Sequence, residues 1–116
     1  MTEVHRQISS DAVELTVLGH CNAGRINGTD LCCCAVSMLV YTIMDTLGRL
    51  NLKNLKQHYG GGWCKIRYDR VSPDSGIASV ALDTVMNGFE LLEKSYPANL
   101  KIYENERKWK DERYYQ

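Results

Sequence analysis

The chain has 116 residues, 44% of them apolar, with fourteen basic residues balancing fourteen acidic ones. That length fits one domain with a modest core. Zero formal charge supplies no steering field for nucleic acid or an anionic membrane, so neither is expected as a partner.

Val4, Arg6 and Ile8 alternate weakly, and Ser9, Ser10 and Asp11 read as a turn. Val13, Leu15 and Val17 then alternate with Glu14 and Thr16, the pattern of a half-buried strand. Together these segments predict a hairpin that ends at Gly19-His20. Residues 21–29 hold Asn22, Gly24, Asn27 and Gly28 and predict a flexible loop, either a lid over a site or a plain connector.

Thr29 or Asp30 can cap a helix running to about Leu50. Its first fourteen residues, 31–44, are uncharged and apolar on almost every face, with Ser37, Tyr41 and Thr42 as polar exceptions. A bilayer span needs about 20 such residues, so a buried helix is expected. One small sheet and one helix cannot cover every face, which points to a homodimer.

Residues 55–59 and 63–68 flank Gly60-Gly61-Gly62 and predict a second hairpin. A strand rather than a helix follows the glycines, which argues against a phosphate loop. Ser72-Pro73-Asp74-Ser75 opens a second helix to about Ser95. Its expected buried stripe is Ile77, Ala81, Val85, Phe89, Leu92 and Tyr96, with Ser79, Asp83, Asn87, Glu90 and Lys94 opposite. Pro97 ends it, and residues 100–103 can form a short last strand. The order β-β-α-β-β-α-β with hairpin connections predicts an α+β fold with a mostly antiparallel sheet. The domain is placed at 1–104, with a charged, exposed C-terminal tail at 105–116.

Five cysteines, three of them contiguous, and a start without an apolar signal region argue against a disulfide framework and for a reducing cytoplasm. With Asp30 as N-cap, Cys33 falls at the third helical position, where unpaired N–H groups and the helix dipole favour a thiolate. Those N–H groups are also candidate oxyanion donors. His20, at a strand end across the loop, is the candidate general base and acid. Thiolate attack followed by protonation of a leaving amine is the chemistry these two groups can perform.

Cys32, Cys34 and Cys64 read as packing residues, and Cys21 as an incidental neighbour of His20, the alternative being a redox-sensitive one. His5 and His58 read as solvated. Zinc is the rival use of His20, Cys21 and the cysteine run. Contiguous cysteines on a helix do not converge on one tetrahedral ion, so no metal or other cofactor is expected.

Gly19-His20, the glycine-containing loop, Gly28-x-Asp30-x-x-Cys33-x-x-x-Ser37 and the apolar helix after it resemble the ribosomal-processing cysteine protease (Prp) family. The resemblance runs from about Val4 to Tyr103. It implies a homodimeric α+β fold and a Cys-His protease, with His20 as base, Cys33 as nucleophile, and Asp30 and Ser37 in supporting positions. The implied substrate is a large-subunit ribosomal protein precursor carrying an N-terminal extension. Phage members of the family imply a capsid or scaffold protein instead. A non-catalytic dimeric binding module is the remaining alternative. The chain departs from the family pattern at Cys21, Cys32 and Cys34.

Overall fold

The computed structural model describes residues 1–105, so the expected tail lies outside the described residues apart from Asn105. Asn105 belongs to the fold. Its side chain accepts from the Ile8 N–H and donates to the Ile8 carbonyl, at 2.8 and 2.9 Å.

Seven elements follow in the expected order: β1 (Thr2–Ile8), β2 (Ala12–Leu18), α1 (Leu31–Gly48), β3 (Lys56–Gly60), β4 (Trp63–Asp69), α2 (Ser75–Ser95) and β5 (Leu100–Glu104). The strands form one sheet in the order β3-β4-β2-β1-β5. Three neighbouring pairs are antiparallel, while β1 and β5 run parallel. The sheet is therefore mixed. A hairpin cannot join parallel strands, and the return from β4 to the far edge is made by α2 as a crossover.

One face of the sheet is buried. Val4, Leu15, Val17, Cys64, Ile66 and Tyr68 point into the core, meeting Cys32, Val36, Val40, Ile43 and Leu47 of α1. From α2 come Ala78, Leu82, Val85, Met86 and Phe89. Gly88 lets the helices approach, since a Cβ there would fall 2.7 Å from a methyl of Leu39.

The α2 stripe differs from the expected one. Val85 and Phe89 are buried, but Ile77 is 58% exposed, and Ala78, Leu82 and Met86 complete the inward face. Asp83, which the apolar pattern placed outward, turns toward the sheet. It accepts from Arg6 Nη1, on the same side of the helix as the buried residues 78, 82 and 86. Arg6 is itself only 1% exposed, and its Nη2 donates to Glu104 at 2.9 Å. The inward position of Arg6 on β1 is thus an ion-pair site bridging β1, α2 and β5.

Removing the guanidinium would take a cation from Glu104, whose side chain is 2% exposed, and from Asp83. Arg6→Met is expected to destabilise the fold by about 3–5 kcal/mol. A urea melt of wild type against variant measures this, and an unchanged midpoint would show that the carboxylates are resolvated.

The apolar helix α1 is covered on one side. Leu31, Met38 and Tyr41 are at least half exposed in the single chain. The all-round burial expected from its composition is not supplied within one copy.

Candidate active site

The β2 end, the α1 start, the β3–β4 turn and the β1 start converge at one end of the sheet. Leu18 of β2 pairs with Trp63 of β4, so the chain leaving β2 runs beside the glycine turn. Gly19 then turns with φ +87°, and its N–H donates to the Gly62 carbonyl at 2.7 Å. A Cβ at Gly19 would fall 2.4 Å from the Met1 carbonyl oxygen, so only glycine fits this crossing. His20 follows, exposed and leaning on Gly62.

Cys33 sits in the first turn of α1. Asp30 is the N-cap, and its Oδ1 accepts from the Cys33 N–H at 3.0 Å. The other oxygen, Oδ2, accepts from the Ala23 N–H at 3.1 Å, tying the 21–29 loop to the helix start. These bonds, led by that from Cys33, hold the Asp30 carboxyl below its ordinary pKa.

His20 and Cys33 line the same cleft, of about 120 Å³. Its other walls come from Ser37 and Tyr41 of α1, Tyr59 of β3 and Trp63 of β4. Tyr41 and Tyr59 meet edge to face at 6.0 Å across the mouth. The cleft therefore offers one imidazole, a partly exposed thiol at Cys33, a second and buried thiol at Cys64, and a largely aromatic rim.

The sulfur of Cys33 accepts from the Cys21 N–H at 3.3 Å. The Cys33 thiol nevertheless lies above its ordinary pKa of 9.0, chiefly because burial penalises the thiolate. This corrects the expectation of a lowered thiol. The Cys33 N–H is spent on Asp30, and the Asp30 charge opposes a thiolate beside it. It also moves the candidate oxyanion donor, because the N–H that faces the sulfur belongs to Cys21. Alkylation of Cys33 by iodoacetamide should accordingly climb with pH through 9.0 and level off only above it. A plateau below that value would contradict the assignment.

Cys21 is therefore not an incidental neighbour. It is 1% exposed, donates its N–H to Cys33 and touches the sulfur of Cys32. Cys32 and Cys64 are buried as expected, and burial pushes the Cys64 thiol up to about 11. Cys34 corrects its packing assignment, since it lies exposed on the outer side of α1. His58 is exposed, and His5 stacks on Tyr103 at 4.7 Å and bonds Glu3. Among the described residues, no three His, Cys, Asp or Glu side chains gather as a metal site.

Asn99 carries a role its sequence neighbourhood did not signal. Its amide donates to the carbonyls of Cys21 and Asn22, at 3.0 and 3.3 Å, and its carbonyl accepts from the Thr2 N–H. It fastens the segment carrying His20 to the start of β5. Asn99→Ala should lower kcat/KM by roughly tenfold through a misplaced His20 segment. Steady-state kinetics beside a thermal melt would separate this from unfolding, and unchanged kinetics would remove Asn99 from the site.

The sequence model of the family described as cysteine protease Prp matches residues 1–101. The chain belongs to the Prp family of cysteine proteases. Two solved structures of the essential ribosomal processing protease Prp from S. aureus share the fold. The one with a covalently linked product peptide has a TM-score of 0.76 at 21% identity, covering 90% of this chain and 100% of that one. The one with a substrate peptide has a TM-score of 0.71 at 18% identity, with the same coverage. SMU.848 from Streptococcus mutans aligns with a TM-score of 0.56 at 21% identity, covering 89% of this chain and 94% of that one. None of the curated proteins matches the chain. As a Prp-family chain it is a cysteine protease, with an α+β fold.

Proposed function

We propose that His20 and Cys33 are the catalytic pair of this Prp-family protease, and that it trims an N-terminally extended ribosomal-protein precursor. The observation that carries the pair is the cleft, which collects the Cys33 thiol and the His20 imidazole from segments separated by a loop, its other thiol, Cys64, being buried. The processing role is carried over from the S. aureus relatives of the same fold, one of which holds a substrate peptide.

Because burial keeps Cys33 a thiol, His20 acts as a general base at the moment of attack. Its imidazole takes the Sγ proton as the sulfur adds to the scissile carbonyl. The oxyanion that forms is stabilised by the Cys21 N–H, which already faces the sulfur. The imidazolium then gives its proton to the departing amine, leaving a thioester. Water, deprotonated by His20, releases the acid. Asp30 positions Cys33 by capping the helix, and Ser37 stands one turn further along the cleft. The aromatic rim of Tyr41, Tyr59 and Trp63 suits apolar or aromatic residues beside the cut.

A homodimer is part of the proposal. The exposed Leu31 and Met38 face on α1 suits a second copy, and light scattering should give twice the 13.2 kDa chain mass. A processing enzyme for ribosomal proteins also works in the cytoplasm.

The test is cleavage of an N-terminally extended large-subunit ribosomal protein, run beside a phage scaffold protein. Cleavage of the first within its extension is the expected result. Cleavage of the scaffold alone would transfer the enzyme to phage maturation, and cleavage of neither would favour the binding-module alternative.

A further inference from the structure

Cys21 touches both Cys32 and Cys33 beside the cleft, and the proteolytic mechanism uses the sulfur of Cys33 alone. Cys32 Sγ donates to Cys21 Sγ across 2.8 Å, although the two come from different segments. Both are buried, at 0% and 1% exposure, whereas Cys33 is only partly buried and opens on the cleft. A disulfide bond is about 2.05 Å long, so joining Cys21 to Cys32 needs less than about 1 Å of closure. Cys33 also meets Cys21: its sulfur accepts from the Cys21 N–H, and the two side chains interact. Cys32 and Cys33, as consecutive helical residues, point about 100° apart and cannot pair directly. Thr2 Oγ1 stands 3.2 Å from the Cys21 sulfur and can exchange a proton with it.

We propose that Cys21 and Cys32 form a redox-active dithiol that takes up oxidation arriving at Cys33 and closes to a disulfide, returning Cys33 to the thiol. The oxidant is hydrogen peroxide. Cys33 sulfur attacks one peroxide oxygen. An S–O bond forms, the O–O bond breaks, and hydroxide leaves as water after taking the thiol proton. Cys33 is then a sulfenic acid, oxidised by two electrons. Cys21 attacks the Cys33 sulfur. An S–S bond forms, the S–O bond breaks, and the second water departs with the Cys21 proton. Cys32 next attacks the Cys21 sulfur. The Cys21–Cys33 bond breaks, the Cys21–Cys32 bond forms, and the Cys32 proton passes to Cys33. One peroxide becomes two waters, and two thiols become one disulfide. The nucleophile is spared the further, irreversible steps to sulfinic and sulfonic acid.

The order of events rests on Cys33 being the reactive thiol of the cleft, but the readout is a mass and does not depend on proteolysis. The full chain is treated with equimolar hydrogen peroxide, blocked with iodoacetamide and digested with trypsin without reduction. Cleavage after Arg6, Arg25 and Arg49 places Cys21 in peptide 7–25 and Cys32 to Cys34 in peptide 26–49. The expected product is a link between these peptides that fragmentation assigns to Cys21 and Cys32, with Cys33 alkylated. In Cys32→Ser, and in Cys32→Ala as a second variant, the reaction should stop at a Cys21–Cys33 link that dithiothreitol reverses. In Cys33→Ala the Cys21–Cys32 link should form at least about tenfold more slowly, because the buried pair has lost its entry point. Wild type carrying Cys33 as sulfinic acid with no link would overturn the proposal. So would a link forming as fast in Cys33→Ala as in wild type.

Discussion

Cys33→Ala should abolish peptide cleavage, because it removes the one partly exposed thiol that the cleft presents. Cys34 is the next residue but lies on the outer side of α1, and Cys64 is 2% exposed with its thiol pushed up to about 11. Neither can substitute. Cys33→Ser should be nearly as inactive, since a hydroxyl is far harder to deprotonate at the same position. His20→Ala should lose about 10²–10⁴-fold in kcat/KM, the usual worth of a positioned proton-transfer group. The thermal midpoint should change little in His20→Ala, because this ring is exposed. Progress curves on an extended precursor measure all three variants, and turnover surviving in Cys33→Ala would refute the assigned nucleophile.

Gly62→Ala should be the most damaging change outside the pair itself. Gly62 has φ +78°, a region that side chains other than glycine's rarely adopt. A Cβ there would fall 2.7 Å from His20 Nε2 and 3.2 Å from its Cε1. The backbone is meanwhile fixed by the bond from the Gly19 N–H to the Gly62 carbonyl. Either the hairpin turn or the imidazole must move. A shift of about 1 Å in a catalytic group costs on the order of 10²-fold, so that loss is expected in kcat. Kinetics should be read against the urea midpoint. A variant with unchanged kcat would show that His20 does not work from the position it takes against this turn.

The elements were legible because each has a strong local signal. The Val13–Leu15–Val17 alternation, the triple-glycine turn and the Asp30 cap all depend on neighbours within a few residues. His20 and Cys33 were legible for the same reason: a strand end and the third position of a capped helix can be read from short segments. What was not legible depends on contacts between distant segments. The pattern of α2 alone could not show that Asp83 would turn inward, because its partner Arg6 is 77 positions away. The parallel pairing of β5 with β1 likewise has no local signature, since it follows from α2 crossing the sheet.

The same limit applies at the site. Asn99 reaches Cys21 across 78 positions, and Trp63 joins the cleft only through strand pairing. The thiol pKa departs from its helix position for a different reason. Helix position alone predicts a lowered value, but the cap that defines the position also takes up the N–H group and adds a negative charge. The Arg6 position on β1 offered the one usable hint, a charged residue in phase with Val4 and Ile8. A buried arginine in such a place calls for carboxylates from elsewhere in the chain.

The most direct test of the central claim is to catch the acyl-enzyme. An extended precursor peptide is mixed with wild type, quenched in acid during turnover, digested at low pH and fragmented. The account predicts a thioester on Cys33 carrying the N-terminal product, present in wild type and absent in Cys33→Ala. It should accumulate further in His20→Ala if deacylation is slowed more than acylation. A thioester on Cys34 or Cys21, or steady cleavage with no adduct on any cysteine, would contradict it.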